Sequence, residues 1–199
     1  MTDLASPAKT MPLLPSNIHL PVTEILEELK STLNRCHEAI VQAPPGAGKT
    51  SLVPLALMNE PWLGHKKILM LEPRRIATRA AAHRMADLLH ESLGQTVGYR
   101  MRLDTRVSSC TKIEVITQGI LTRMLQEDPS LVDVGLVIFD EFHERSLDAD
   151  LALALCLKGR SLFREDDPLK VLIMSATLNS HKLEELTGAP VIRSEGKQY

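Results

Sequence analysis

Ala43-Pro44-Pro45-Gly46-Ala47-Gly48-Lys49-Thr50 is the stretch that decides the fold of this chain. The stretch before it, residues 38–42, has three consecutive apolar residues at its centre and predicts a short buried strand. Residues 50–58 predict a helix, which must accommodate Pro54 near its first turns. The two glycines let the backbone bend and approach an anion without a Cβ in the way, and the N–H groups of the loop and of the helix start then face that anion. A strand, a glycine-rich loop and a helix in this order predict a phosphate-binding loop.

The end of the loop indicates a nucleoside triphosphate as the ligand. Lys49 can reach the β and γ phosphates, and the hydroxyl of Thr50 can hold Mg²⁺. We expect the nucleotide to be bound by Pro45, Gly46, Ala47, Gly48, Lys49, Thr50 and Ser51. Ala43 stands where the pattern usually has its first glycine, and a Gly/Pro surface turn before a helix is the alternative interpretation. The preceding strand and the Lys-Thr pair favour the nucleotide site over such a turn.

An acidic sequence, Asp140-Glu141-Phe142-His143, follows the apolar run 136–139. Asp140 therefore emerges at the carboxyl edge of the sheet, where ligands of open α/β sheets bind. One carboxylate, the Thr50 hydroxyl and the phosphates suffice for Mg²⁺, and Glu141 can then orient or deprotonate the attacking water. Alone, an acidic pair after a strand is usually a solvated edge or a helix cap, but the upstream loop favours a catalytic role. His143 by itself is weak evidence, since an isolated histidine is more often structural.

The rest of the chain alternates between strand and helix patterns, which predicts an α/β fold with a mostly parallel sheet and helices on both faces. Further strands are expected at 68–71, 97–103, 112–116, 136–139 and 171–174. Helices are expected at 22–33 with Thr23 as N-cap, at 76–93 with a stop near Gly94, and at 150–157. Residues 1–20, which contain three prolines, are expected to be a flexible lead-in to one folded domain, residues 21–199.

Composition narrows the class of protein. The chain has 199 residues, of which 44% are hydrophobic, enough for a real core. A formal charge of −2 gives no general attraction for nucleic acid, although a local basic face can still bind it. Three isolated cysteines favour a reduced, cytoplasmic protein, and no apolar run approaches the ~18–20 residues of a membrane span. We therefore expect no membrane partner.

Five motifs together resemble a known family. They are Ala43–Thr50, Glu72-Pro73-Arg74-Arg75, Thr117-Gln118-Gly119-Ile120-Leu121, Asp140-Glu141-Phe142-His143-Glu144-Arg145 and Ser175-Ala176-Thr177. In order and spacing this set resembles superfamily 2 helicases of the DEAH group, from about Pro21 to the end of the chain. The Phe142 variant of the acidic box, with Pro44-Pro45 in the loop, is most similar to the bacterial HrpB-type helicases.

The resemblance implies the first RecA-like domain, a P-loop ATP-binding unit, of an ATP-dependent RNA helicase. ATP and Mg²⁺ would be its cofactors, and single-stranded RNA or DNA its partner. It also implies a second RecA-like domain of the same full-length protein after residues 191–196, whereas this chain ends at Tyr199. That domain would supply arginine fingers and the other half of the nucleic-acid track, so we expect this chain to hydrolyse ATP poorly by itself.

The resemblance also implies roles for individual residues. Glu141 would be the catalytic base, assisted by Lys49 and His143, and Thr50 and Asp140 would hold the metal. The residues that would couple hydrolysis to domain movement are His143, Ser175 and Thr177. The residues that would touch the nucleic-acid backbone are Arg74, Arg75, Thr117 and Gly119. Arg84 would stack on adenine, although a solvated arginine on a long helix is the alternative.

Other functions stay open at this point. Aromatic residues make up only 3% of the chain, so phosphate contacts rather than base stacking would dominate nucleic-acid binding. Such contacts do not distinguish RNA from DNA, which requires contacts to the 2′-OH. A DNA-directed motor, a P-loop ATPase that never meets nucleic acid, and an interaction module with a vestigial acidic box are the remaining candidates.

Overall fold

The computed structural model describes residues 20–177 and 180–194. Its helices are α1 Leu26–Arg35, α2 Lys49–Leu57, α3 Arg75–Leu88, α4 Gln118–Glu127, α5 Leu147–Phe163 and α6 Ser180–Thr187. Its strands are β1 Glu38–Gln42, β2 Lys67–Glu72, β3 Val97–Met101, β4 Asp104–Arg106, β5 Ile113–Thr117, β6 Val134–Phe139, β7 Lys170–Ser175 and β8 Val191–Arg193. The predicted lead-in lies on residues 1–20, of which only Leu20 is among the described residues.

The strands of the described residues form one sheet in the order β4-β3-β5-β2-β6-β7-β1-β8. All neighbouring pairs are parallel except β3 with β4. The central strands β6 and β7 are buried along their whole length, as continuous apolar runs predict. The prediction of a mostly parallel sheet is confirmed.

Helices cover both faces of this sheet. The core on one face contains side chains of α1, α2 and α3, and the core on the other contains side chains of α4 and α5. Strand β2 contributes to both, because successive side chains of a strand point to opposite faces: Ile68 and Met70 lie in the first core, Leu69 and Leu71 in the second. The predicted α/β layering, with helices on both faces, is therefore confirmed. None of the described helices is long and apolar enough to span a bilayer.

The prediction of Thr23 as an N-cap is wrong. Residues Pro21–Ile25 form a 3-10 turn, and α1 begins only at Leu26. The Thr23 hydroxyl donates a hydrogen bond to the carbonyl of Leu20 at 2.7 Å, so it serves the preceding turn rather than the N–H groups of the helix. Proline at the first position of the turn starts it without losing a needed donor.

Two other predicted boundaries differ. Helix α3 ends at Leu88 rather than near Gly94, because His90 takes the left-handed conformation (φ 55°) and stops it. Helix α5 is longer than predicted. Ser146 caps it by accepting a hydrogen bond from the N–H of Ala149 at 3.1 Å, and the helix then runs on to Phe163.

The strand predicted at 97–103 is a hairpin. Strand β3 ends at Met101, Leu103 lies in the turn at φ 65°, and β4 returns antiparallel to β3. Helices α4 and α6 and strand β8 are further elements that the sequence patterns did not predict.

Candidate nucleotide and nucleic-acid site

The candidate residues meet at the carboxyl edge of four neighbouring strands, β2, β6, β7 and β1. The predicted phosphate loop follows β1, Asp140 follows β6, and Ser175 ends β7. Gln42 pairs with Ser175, and the N–H of Ala43 donates to the Ser175 carbonyl at 3.2 Å. The sheet order thus brings together three motifs that are distant in sequence.

The phosphate loop has the backbone that its glycines predict. Gly46 and Gly48 lie at φ 77° and 90°, in the left-handed region that residues with a Cβ disfavour. Lys49 opens α2 and is only 3% exposed. Its ammonium donates to the carbonyls of Ala43 at 2.6 Å and Pro44 at 3.1 Å. The lysine is therefore held inside the loop, where an incoming phosphate can compete with these carbonyls for it.

A segment that sequence reasoning missed braces this loop from outside. The N–H of Val22 donates to the carbonyl of Ala47 at 3.1 Å. Leu20 lies so close that a Cβ added to Gly48 would be 2.7 Å from its Cδ1 atom. No local pattern signals this contact, because the residues are more than twenty positions apart.

Thr50 and Asp140 are in direct contact. The Thr50 hydroxyl donates to Asp140 Oδ2 at 2.5 Å, and the N–H of Glu141 donates to Asp140 Oδ1 at 2.8 Å. Asp140 is 5% exposed. In the described residues no group of three or more His, Cys, Asp and Glu side chains is arranged as a metal site. Magnesium at nucleotide sites is usually held by one or two carboxylates together with the substrate phosphates, and this hydroxyl–carboxylate pair fits that donor set.

Glu72 belongs to the second of the five motifs, but the family resemblance implies no role for it. It ends β2, is 2% exposed, and is hydrogen bonded to Asp140. Burial first, and repulsion by Asp140 second, raise the pKa of Glu72 to about 9. Burial also raises the pKa of Asp140, but donors from Thr50 and Glu141 stabilise the ionised form of that residue alone. We therefore assign the proton of this pair to Glu72, which leaves Asp140 as the carboxylate.

Glu141 has an unusual backbone conformation. It lies at φ 48°, ψ 36°, a conformation that costs a residue with a Cβ about 1–2 kcal/mol and that recurs at functional sites. Its side chain is 31% exposed, beside the buried Asp140. Burial, followed by repulsion from Asp140, raises the pKa of Glu141. Such a carboxylate is a better proton acceptor than an ordinary surface glutamate.

His143 links the acidic box to the third motif. The N–H of Ala176 lies 3.3 Å from His143 Nδ1, and Glu141 Oε2 is also 3.3 Å from that atom. One ring nitrogen can accept from Ala176 or donate to Glu141, but not both at once. The neighbouring N–H of Thr177 donates to Ser175 Oγ at 3.4 Å, so the predicted coupling residues form one connected group.

The predicted nucleic-acid residues lie on the same sheet edge, on the β2 and β5 side. Glu72 pairs with Thr117, so Thr117 ends the strand beside the one that Arg74 follows. Arg74 is exposed and donates from Nη2 to both carboxylate oxygens of Glu144, at 3.1 and 3.2 Å. A Cβ added to Gly119 would meet nothing within 4 Å, which leaves its backbone open to a ligand.

A cavity of about 220 Å³ lies where this group meets the acidic box, and its lining includes Arg74, Gln118, Glu141 and Arg145. Arg75 is exposed at the start of α3. Arg84 is exposed further along the same helix, which packs beside α2, and its stacking on adenine stays a prediction.

Comparisons with known proteins agree with this geometry. The family model for the DEAD/DEAH box helicase matches residues 23–186. The ATP-dependent RNA helicase HrpB of Escherichia coli (strain K12) is 52% identical over 90% of this chain and 22% of the relative. The ATP-dependent RNA helicase HrpA of Borreliella burgdorferi is 33% identical over 92% of this chain and 22% of the relative.

A crystal structure of the Escherichia coli DEAH/RHA helicase HrpB superposes with a TM-score of 0.86 at 51% identity, covering 91% of this chain and 23% of that one. The chain thus spans about a fifth of the length of these relatives. A family model that matches most of the chain and a solved structure with the same fold lead to one conclusion. This chain belongs to the DEAD/DEAH box helicase family.

Proposed function

We propose that this chain is the ATP-binding, first RecA-like domain of an ATP-dependent RNA helicase. The single observation that carries the proposal is the contact of Thr50 with Asp140 at the mouth of the phosphate loop, 2.5 Å apart. This contact brings together the predicted metal ligands of two motifs that are distant in sequence. The carboxyl edge of the sheet beside it carries Arg74 and Arg75. The relatives named as ATP-dependent RNA helicases support the same function. A cytoplasmic location, where ATP and RNA are both present, is part of the proposal.

The phosphate loop binds and orients the triphosphate. Its backbone N–H groups and the start of α2 face the β and γ phosphates. Lys49 exchanges the carbonyls of Ala43 and Pro44 for phosphate oxygens, since an anion is the stronger acceptor. Pro45, Ser51 and Arg84 complete the proposed nucleotide contacts. Mg²⁺, held by Thr50 and Asp140, would neutralise the charge that develops on the phosphates.

Glu141 acts as the general base for the attacking water. The water oxygen forms a bond to the γ phosphorus while the bond from that phosphorus to the β–γ bridging oxygen breaks, and ADP leaves. Glu141 accepts the water proton as this happens, aided by the raised pKa of its carboxyl. The left-handed backbone at this residue positions its carboxylate at the edge of the site rather than in the core.

Three residues couple the presence or loss of the γ phosphate to the rest of the full-length protein: His143, Ser175 and Thr177. His143 Nδ1 contacts either Ala176 or Glu141, so loss of the γ phosphate beside Glu141 changes which contact is favoured. Because Ser175 ends the strand beside the phosphate loop, a shift there reaches the surface that would face the second RecA-like domain.

Single-stranded RNA is the proposed partner. Arg74, Arg75, Thr117 and the open backbone at Gly119 lie on adjacent strand and helix ends, which suits a chain of phosphates. None of these groups selects a base, so binding to many sequences is expected. A DNA-directed motor, or an ATPase independent of nucleic acid, is an outcome of the test.

ATP hydrolysis by the full-length protein, with and without single-stranded RNA and DNA of matched length, tests the proposal. RNA should raise kcat or lower KM for ATP more than DNA does, and Lys49→Ala should abolish turnover in every condition. Equal stimulation by DNA identifies a general or DNA-directed motor instead. Turnover that neither polymer changes contradicts the helicase assignment.

A further inference from the structure

Glu72 lies beside the proposed metal ligands although nothing in the hydrolytic mechanism uses it. Leu71 pairs with Phe139 across β2 and β6, so the residues that follow, Glu72 and Asp140, stand at adjacent strand ends. The N–H of Asp140 donates to the Leu71 carbonyl at 3.1 Å, which fixes this arrangement. The two carboxyl groups are hydrogen bonded to each other.

The burial of Glu72 requires an explanation. Its side chain is 2% exposed, and its Oε1 atom has no hydrogen-bond partner among the described residues. Buried carboxyl groups are normally paired or bound to a metal, and an unsatisfied buried polar atom costs about 1–3 kcal/mol. Packing alone does not explain an orphaned acceptor beside a predicted metal ligand, because an apolar side chain would pack there without this cost.

Glu114 is another buried glutamate of this chain, and its ion pairs can be compared with the surroundings of Glu72. It is 1% exposed on the next strand, β5, and it pairs with Lys67 at 2.8 Å and Arg100 at 2.5 Å. Among the described residues no such cation pairs with Glu72, and the Lys49 ammonium donates to loop carbonyls. A divalent cation would supply the positive charge that no ion pair within the described ranges gives to Glu72.

We propose that Glu72 is a positioning residue for the magnesium ion of the bound nucleotide, with its unpartnered carboxylate oxygen accepting a hydrogen bond from water in the ion's shell. This inference rests on the proposed function, which places Mg²⁺ at Thr50 and Asp140. Magnesium keeps several of its waters in such sites, and those waters need acceptors. Groups that orient metal ligands and waters in this way typically change metal affinity by about 10–100-fold when mutated.

The competing role is that of a neutral buttress, in which Glu72 only donates a hydrogen bond to Asp140. Glutamine separates the two roles. Its amide can donate to Asp140 as the protonated acid does, but it has no proton to release and cannot become an anionic acceptor beside a cation. Glu72→Gln therefore preserves the buttress and weakens the positioning function, because a neutral amide oxygen is a poorer acceptor than a carboxylate.

The test measures binding of a fluorescent methylanthraniloyl ATP to this chain in EDTA and across a Mg²⁺ titration, with Mn²⁺ paramagnetic resonance as a direct metal readout. For Glu72→Gln, we expect affinity in EDTA within about twofold of wild type. The divalent-ion concentration for half-saturation should rise at least about tenfold. Glu72→Asp, which keeps the charge, should recover part of that loss.

Glu114→Gln is the matched control, since it neutralises another buried glutamate away from the site and should leave the Mg²⁺ dependence unchanged. Unaltered Mg²⁺ affinity in Glu72→Gln, or an equal loss of ATP affinity with and without Mg²⁺, overturns the proposal. Should Glu72→Gln not fold, Glu72→Asp replaces it: weaker Mg²⁺ affinity with unchanged ATP affinity in EDTA supports the proposal, and unchanged Mg²⁺ affinity or an equal loss with and without Mg²⁺ overturns it. Asp140→Asn tests the site itself: if it leaves the Mg²⁺ dependence intact, the proposed function fails rather than the role of Glu72.

Discussion

Replacing Glu72 by glutamine should change how the stability of the metal-free protein depends on pH. Burial and repulsion by Asp140 raise the pKa of Glu72 from 4.5 to about 9 in the folded protein. Between those values the folded protein holds a proton that the unfolded chain has released. The stability gained from this proton is fully present below about pH 4.5 and is lost as the pH rises toward 9. The free energy of unfolding therefore falls with rising pH across this window.

The size of the effect follows from proton counting. One extra proton on the folded state changes the free energy of unfolding by at most about 1.4 kcal/mol per pH unit. Glutamine at position 72 binds no proton and has no such slope. Between pH 6 and pH 8 the wild-type protein should thus lose up to about 3 kcal/mol of unfolding free energy relative to Glu72→Gln.

Urea unfolding in EDTA at pH 6, 7 and 8 measures this difference directly. Glu114→Gln is the control. Burial opposes ionisation of Glu114, but hydrogen bonds from Arg100 and Lys67 prevail and lower its pKa, so it is ionised throughout this range. That variant should be destabilised by a similar amount at all three pH values. Parallel pH profiles for wild type and Glu72→Gln refute the assignment of the proton to Glu72.

Three further predictions concern the loop, the base and the nucleic-acid edge. Gly48→Ala should lower the free energy of unfolding by about 1–2 kcal/mol from its left-handed backbone. It should lower it further than Gly46→Ala, because only the added Cβ at 48 meets Leu20; equal melting temperatures contradict that contact. Glu141→Gln in the full-length protein should keep ATP binding and slow turnover by about 10²-fold or more, and turnover within a small factor of wild type would make Glu141 structural. Replacing Arg74 and Arg75 by alanine should weaken all single strands alike and reduce the log–log salt slope by about 0.7 per lost contact; a loss confined to some sequences argues against phosphate binding.

Much of the site could be predicted from local sequence patterns. A Gly/Pro loop between a strand and a helix can be recognised from a few consecutive residues. So can an acidic residue directly after a buried strand. Parallel strands place their carboxyl ends on one edge, which is why the sequence predicts the contact of Thr50 with Asp140 that the structure shows. The mostly parallel sheet followed from the same apolar runs.

What the sequence did not reveal depends on tertiary environment. The burial of Glu72 and its contact with Asp140 are consequences of strand order, and no spacing rule reports them. The brace formed by Leu20 and Val22 on the phosphate loop is equally non-local. Helix α3 ends at Leu88 because His90, a residue without the usual C-cap signature, adopts the left-handed conformation, and Gly94 lies beyond the end of the helix.

Equilibrium binding of ATP to this chain with saturating Mg²⁺, compared between wild type and Lys49→Ala, tests the nucleotide site most directly. A charge-assisted hydrogen bond contributes about 1.5–3 kcal/mol, so loss of the ammonium should weaken binding by about 10–100-fold. Circular dichroism should show the same fold for both proteins, since only two loop carbonyls lose a donor. Wild-type affinity in a well-folded Lys49→Ala protein would contradict the assignment of residues 43–50 as the ATP-binding loop.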